Sequence, residues 1–282
     1  MDRPQHGRTT IGELGAKWLG VQTHLKPSSL RVTEIAWRSH VEPRWGRTPI
    51  AAVKPSDVAA WVATLEGGAV TVRRAHNTLT QVLDMAVRDS MLARNPACGV
   101  KLPRKPKAEP IYLTMEQLQC LAGECSRYGE LVWLLGTVGL RWGEAAALRV
   151  QDVNFLRKRI SVERNAVTVG TKVVVGTPKT HEKRVVAAPR FVLDLLDPLC
   201  VGKGQDELLW SAASGDPLKL PSKGSWYYGA LERCMAADPD FPRVTVHGLR
   251  HVAAGLLISA GANVKAVQRQ LGHADAAMTL NT

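Results

Sequence analysis

The chain has 282 residues, with 37 Lys+Arg against 25 Asp+Glu, a formal net charge of +12 and a pI near 9.8. That length allows about two domains, each burying its own core, and the basic excess points to a polyanionic partner, which leaves DNA, RNA and membrane surfaces open. Five scattered cysteines without a CxxC pair argue against a disulfide framework or a zinc site, and the chain has neither a signal-peptide core nor a run approaching the roughly 18 apolar residues of a membrane span, so a cytoplasmic protein is expected.

The first hundred residues read as four helices. Thr10-x-x-Glu13 is a capping box, followed at helical spacing by Ile11, Leu14, Trp18, Val21 and Leu25. A second helix is expected after Lys26-Pro27-Ser28-Ser29, ending before Pro43. A third opens at Pro55-Ser56-Asp57, buries Val58, Trp61, Val62 and Leu65, and stops at Gly67-Gly68. The fourth carries Val72, Leu79, Val82, Leu83, Ala86 and Val87 before a turn at Asn95-Pro96. Trp18, Trp61 and Leu83 belong to the core of this domain.

Residues 101–110 hold three prolines and four cations, Lys101, Arg104, Lys105 and Lys107. The prolines deny this stretch a helix or a central strand, so it reads as an extended basic linker. A second capping box, Thr114-Met115-Glu116-Gln117, opens the following domain, whose helices run to about Val153 with a break around Gly136 to Arg141. From Arg159 the pattern alternates through Ile160, Val162, Ala166 to Val169, Val173 to Val175 and Val185 to Ala187, which predicts one small antiparallel sheet. Helices return from Pro189, from Ser225 to Ala236 and from His247 onward. The predicted fold is mainly α with a small antiparallel β-sheet: a helical domain over 1–100, a linker over 101–110 and a mixed α/β domain over 111–282.

Chemistry concentrates in three boxes: Gly139-Leu140-Arg141-Trp142-Gly143-Glu144, Val246-His247-Gly248-Leu249-Arg250-His251 and Leu271-Gly272-His273. Two guanidinium forks and two histidines suit a single phosphate, because each fork can hold two oxygens and keeps its charge. His247 and Arg250 stand one helical turn apart, on one face. Arg141 precedes a helix start, where the dipole disfavours a cation, and that misfit argues for a functional role. His247 and His251 have the spacing of a zinc helix, but Gly248 occupies the place of the glutamate such a motif needs and no third ligand is suitably spaced. No metal and no cofactor are expected.

Taken in order, these boxes resemble the tyrosine recombinases, the phage integrases in particular, and among them most nearly those of actinobacterial phages; the resemblance extends over nearly the whole chain. It implies a helical core-binding domain and a mixed catalytic domain that clamp duplex DNA, cutting and rejoining it through a 3′-phosphotyrosine without metal or ATP. It implies that Arg141 and Arg250 hold the phosphate, that Glu144 props the site, and that Lys179 is the general acid for the leaving 5′ oxygen. His247 would assist the tyrosine's proton transfer, and His273 would donate to a non-bridging oxygen. Arg31, Arg38, Arg73, Arg74, His76 and Asn77 would meet DNA from the helical domain. Family members act as tetramers on DNA, and a monomer is expected in free solution. One departure stands out. The family's nucleophilic tyrosine follows the Leu-Gly-His histidine by nine or ten residues, which here reaches Thr282 or the position beyond it, and Tyr112, Tyr128, Tyr227 and Tyr228 all lie upstream. A clipped integrase that binds without cleaving is therefore expected, the alternatives being a non-catalytic DNA-binding derivative of the fold and a metal-dependent hydrolase. With nine residues before the first capping box, no separate arm-binding domain is expected.

Overall fold

The computed structural model describes residues 8–106, 110–177 and 183–272. The chain divides into two compact units, Met1–Ala108 and Glu109–Thr282. Lys107, Lys179 and His273 fall outside the described residues.

In the first unit, α1 (Ile11–Gly20) begins with the expected capping box: Thr10 Oγ1 accepts from the Glu13 backbone, and the Thr10 N–H donates back to the Glu13 carboxylate at 2.9 Å. Ile11, Leu14 and Trp18 are buried, but the helix ends before Val21, which is exposed. Pro43 does not end the second helix. There α2 (Pro27–Ala36) passes through a π turn, Trp37–Val41, into α3 (Glu42–Trp45). The Glu42 N–H reaches back five residues to the Trp37 carbonyl, and this wider turn sets Pro43 in the first turn of α3, where its missing N–H costs least. After α4 (Pro55–Thr64), α5 (Ala69–Arg88) buries Val72, Ala75, Leu79, Val82, Leu83 and Ala86 against the other helices. The turn that follows is pinned to α5: Asn95 donates to the Thr80 carbonyl at 2.9 Å and to Asp84 at 2.6 Å.

The second unit is organised on α7 (Gly129–Val138), apolar on almost every face and packed against α6 (Met115–Glu124), α9 (Arg190–Cys200) and α11 (Gly248–Ser259). The short α8 (Trp142–Ala146) follows, and after a break a 3-10 turn, Val150–Asp152, carries the helical run up to Val153 as the sequence predicts. The predicted single sheet is two sheets. A three-stranded antiparallel sheet has the order β1 (Val153–Asn154), β2 (Arg159–Val162), β5 (Arg184–Ala187), and β3 (Asn165–Val169) and β4 (Lys172–Gly176) form a separate hairpin. The strands themselves lie where alternation predicts them. Pairing, however, depends on which edges meet, and β2 passes over the hairpin to bond β5, with Val162 opposite Arg184. Two further helices, α10 (Trp226–Ala237) and α12 (Val264–Leu271), belong to the same unit.

Gly15 tests the packing of the helical core. A Cβ there would lie 2.0 Å from Trp37 Cη2, and that indole is buried and cannot yield. Gly15→Ala should cost about 1–3 kcal/mol or more, seen as a lower urea midpoint at unchanged slope. Gly20→Ala, which meets nothing within 4 Å, should instead stabilise by up to about 1 kcal/mol.

Candidate active site

The site is built where α7 stops. Gly139 ends that helix in the left-handed region, φ 76°, and Arg141 then takes the N-cap position of α8. Glu144, in the first turn of α8, folds back: its Oε2 accepts from the Arg141 N–H at 2.9 Å and its Oε1 from Arg141 Nη1 at 2.8 Å. Arg184, entering from β5, closes the other side with Nη1 to Oε1 at 2.8 Å and Nη2 to Oε2 at 2.7 Å. The carboxylate has no solvent exposure and accepts four hydrogen bonds, two on each oxygen. Burial alone pushes the Glu144 pKa up, but the hydrogen bonds and charge of Arg184, joined by Arg141, outweigh it and hold the group at about 2.

Arg250 approaches from the first turn of α11. Its Nη1 donates to the Gly139 carbonyl at 2.6 Å and its Nη2 to the Leu271 carbonyl at the end of α12. Arg141 Nη2 donates to the next carbonyl, that of Gly272, at 3.2 Å. Gly272, at φ 66°, is the left-handed cap of α12, and a Cβ on it would lie 3.0 Å from Arg184 Cδ and Nε. Burial, reinforced by Arg141, pushes the Arg250 pKa down to about 9, with Glu144 opposing, so the guanidinium remains charged at neutral pH. Arg141 and Arg184 thus hold one carboxylate directly, while Arg141 and Arg250 bind the carbonyl ends of α12 and α7 beside it.

Of the predicted site residues, Arg141 and Arg250 come together here. His247 stands exposed at the start of α11, its ring edge-on to His251 at 5.7 Å. His251 is half-buried, and burial followed by the charge of Arg250 lowers its pKa. No group of three or more metal-ligating side chains occurs among the described residues, and none of their helices is long and apolar enough to cross a membrane. Arg184 belongs to none of the three sequence boxes. A local signal for it exists: it lies two residues before the buried Val186, so strand alternation turns a cation inward.

In the helical unit Arg31, Arg38, Arg74 and Asn77 are exposed, as are Lys101, Arg104 and Lys105. Arg73 donates through Nε to the Pro103 carbonyl at 2.8 Å, which fastens the basic stretch to α5. Val70, Arg73, Arg74 and Asn77 on α5 line a surface pocket of about 390 Å³ with Leu102 and Lys105. His76 lines the same pocket; it is largely buried, with Nε2 3.0 Å from the Ala97 carbonyl, and it also braces the chain after α5.

Glu144 makes stability depend on pH in a definite direction. Its carboxyl falls from an ordinary value of 4.5 to about 2 on folding, so its contribution is complete above pH 4.5 and is lost as pH falls towards 2. That contribution is on the order of 3 kcal/mol. Glu144→Gln should destabilise the protein at pH 7, because it removes the charge that pairs the buried guanidiniums. Urea midpoints taken from pH 7 to pH 3 should then fall more steeply for the parent than for the variant; equal slopes would assign the acid sensitivity elsewhere.

Residues 111–282 match the model of the phage integrase family. The integrase of Mycobacterium phage D29 is 31% identical over 281 residues, an alignment covering 96% of this chain and 73% of that protein. The fold superposes on the Tn1549 transposon integrase in complex with a circular intermediate DNA with a TM-score of 0.83, at 21% identity, covering 96% of this chain and 94% of that one. It superposes on a lambda integrase tetramer bound to a Holliday junction with a TM-score of 0.72, at 15% identity, covering 96% and 77%. With its arginine boxes, its helical and mixed units and these likenesses taken together, the chain belongs to the phage integrase family.

Proposed function

We propose that the protein is a site-specific DNA recombinase that cuts and rejoins duplex DNA at short core sites through a 3′-phosphotyrosine intermediate. The observation that carries this reading is the convergence of Arg141 and Arg250 on the adjacent carbonyls of Leu271 and Gly272, beside the buried Glu144 carboxylate. Three guanidiniums around Glu144 leave a local excess of two positive charges. A phosphodiester under attack gathers negative charge on its two non-bridging oxygens, which is the charge such a cluster stabilises. A tyrosine oxygen would bond to phosphorus as the bond to the 5′ oxygen breaks. In this reading Lys179 protonates the departing 5′ oxygen, His247 takes part in the tyrosine's proton transfer, and His273 donates to a non-bridging oxygen.

Residues 1–100 act as the core-binding domain, 101–110 as a basic strap and 111–282 as the catalytic domain. The exposed cations Arg31, Arg38 and Arg74, with Asn77 and Arg73 at the pocket on α5, form the DNA-facing surface of the helical domain, and Lys101, Arg104, Lys105 and Lys107 bind backbone phosphate. The protein works as a tetramer on DNA and a monomer off it, on nucleoid DNA in the host cytoplasm; the lambda tetramer on a Holliday junction supports the assembly. In a polypeptide of these 282 residues no tyrosine follows Tyr228, so this polypeptide binds core duplex without forming a covalent adduct.

The test is a nicked core-site duplex whose sequence is recovered by binding selection from a randomised pool. The 282-residue chain should retain it yet give no denaturant-resistant complex, whereas the full-length gene product should give one. A full-length product that binds but never links to DNA would favour a non-catalytic DNA-binding protein. In that product Arg141→Ala or Arg250→Ala should slow cleavage by roughly 100-fold or more with a far smaller loss of affinity.

Binding should also separate the two groups of cations. Glutamine at Lys101, Arg104, Lys105 and Lys107 should weaken binding to all duplexes alike and flatten the salt dependence by about 0.9 log units for each phosphate no longer neutralised. Alanine at Arg74 or Asn77 should change the preference between core and scrambled duplex by about 1–3 kcal/mol if the side chain reads a base edge. Titrations of both duplexes over a range of salt decide the matter, and equal losses on both would mean that α5 holds phosphate and reads no base.

A further inference from the structure

We propose that Arg184 is a positioning residue of the phosphate clamp: it sets the Glu144 carboxylate against Arg141 and forms the floor beneath the turn at Gly272. The proposal rests on the recombinase reading, and the observations behind it are geometric. Of the four hydrogen bonds that Glu144 accepts, two come from Arg184, at 2.8 and 2.7 Å, and two from Arg141. Without Arg184 each carboxylate oxygen would lose one of its two donors at a place water does not reach. A half-satisfied buried carboxylate moves or takes up a proton, and either change releases Arg141 Nη1 from its fixed direction.

The guanidinium of Arg184 is directed at Glu144 rather than at the helix ends that Arg141 and Arg250 hold. Both its terminal nitrogens are engaged with the carboxylate, its side chain is only 12% exposed, and its Nε is buried without a partner among the described residues. Its stem occupies the space beneath Gly272, whose carbonyl accepts from Arg141. The strand holds it there, since β5 is paired residue by residue with β2 and Arg184 lies opposite Val162. One side chain therefore fixes the base of the Arg141 fork and the exit of α12. The groups facing Glu144 are Arg141 from the cap of α8, Arg184 from β5 and Arg250 from α11, all cationic. With all three present the carboxylate stays ionised, and the loss of Arg184 lets burial raise its pKa into the accessible range.

Four variants of the protein test this: Arg184→Met, Arg184→Lys, Glu144→Gln and the Arg184→Met/Glu144→Gln pair. In the 282-residue chain, labelled with 13C at glutamate carboxyls and with Glu144 assigned by its disappearance in Glu144→Gln, the Glu144 signal should be constant from pH 8 to pH 4. It should titrate within that window in Arg184→Met and, less far, in Arg184→Lys, whose ammonium keeps the charge but not the fork. Should the methionine variant fail to fold, the lysine variant carries the test.

In the full-length product, single-turnover cleavage at saturating protein should fall roughly 10- to 100-fold in Arg184→Met, the scale of a misplaced catalytic group. Core-duplex affinity should stay within about threefold, and the lost rate should recover in part as pH rises and Glu144 ionises. The double variant should be no slower than Glu144→Gln, because Arg184 acts through that carboxylate. Multiplied losses in the double variant, an affinity that falls in step with the rate, or a Glu144 signal that still does not titrate would each overturn the proposal. A full-length parent that cleaves nothing would instead overturn the recombinase reading, and the carboxyl titration would still decide whether Arg184 governs Glu144.

Discussion

The arrangement of the second unit depends on one buried anion. Removing a carboxylate from water costs several kcal/mol, and Glu144 is tolerated only because four hydrogen bonds and three neighbouring guanidiniums offset that cost. The dependence runs in both directions. Arg250 is almost completely buried and Arg184 nearly so, and gathering them with Arg141 without an anion would place three like charges together in a medium that screens poorly. The glutamate therefore permits the arginines to converge, and the residual positive charge is what remains for a ligand.

Helix ends supply the rest of the framework. The last carbonyls of a helix have no partner within it and carry its negative pole, so they attract cations. Arg250 uses both kinds of attraction at once, joining the Gly139 carbonyl at the end of α7 to the Leu271 carbonyl at the end of α12, while Arg141 takes that of Gly272. These carbonyls converge because the chain leaves both helices in the left-handed conformation at glycine. A Cβ on Gly139 would come within 2.4 Å of Leu271 Cδ2, so the two turns are packed against each other. Arginine direction and helix termination are a single constraint, which joins Gly139-Leu140-Arg141 to Leu271-Gly272 across more than a hundred residues.

Much of this is legible in the sequence, for reasons specific to each element. Capping boxes at Thr10 and Thr114 announce helix starts because cap and third residue are neighbours in the chain. Arg141 stands out because a cation at a helix start needs an explanation, and Glu144 three residues on supplies half of it. The other half, Arg184, lies forty residues away on a strand, and no local pattern names its partner. The same limit hides the split of the strands into two sheets, since alternation fixes which way a side chain points but not which strand lies beside it. The burial of His76 is not legible locally, because its partner, the Ala97 carbonyl, lies twenty-one residues further along the chain. Pro43 fails as a stop because a π turn can absorb it, a local rearrangement that composition does not reveal.

The two units use arginine in opposite ways. On the helical unit Arg31, Arg38 and Arg74 are exposed, so any attraction they exert on an anion is screened by salt. In the second unit the guanidiniums are largely withdrawn from water and are aimed by protein carbonyls and one carboxylate. Charge held in that way needs no reorganisation to meet an anion and is poorly screened, which suits the stabilisation of a transient anion better than it suits general affinity. The cost of burying Glu144 is in this sense what keeps these guanidiniums close together and fixed in direction.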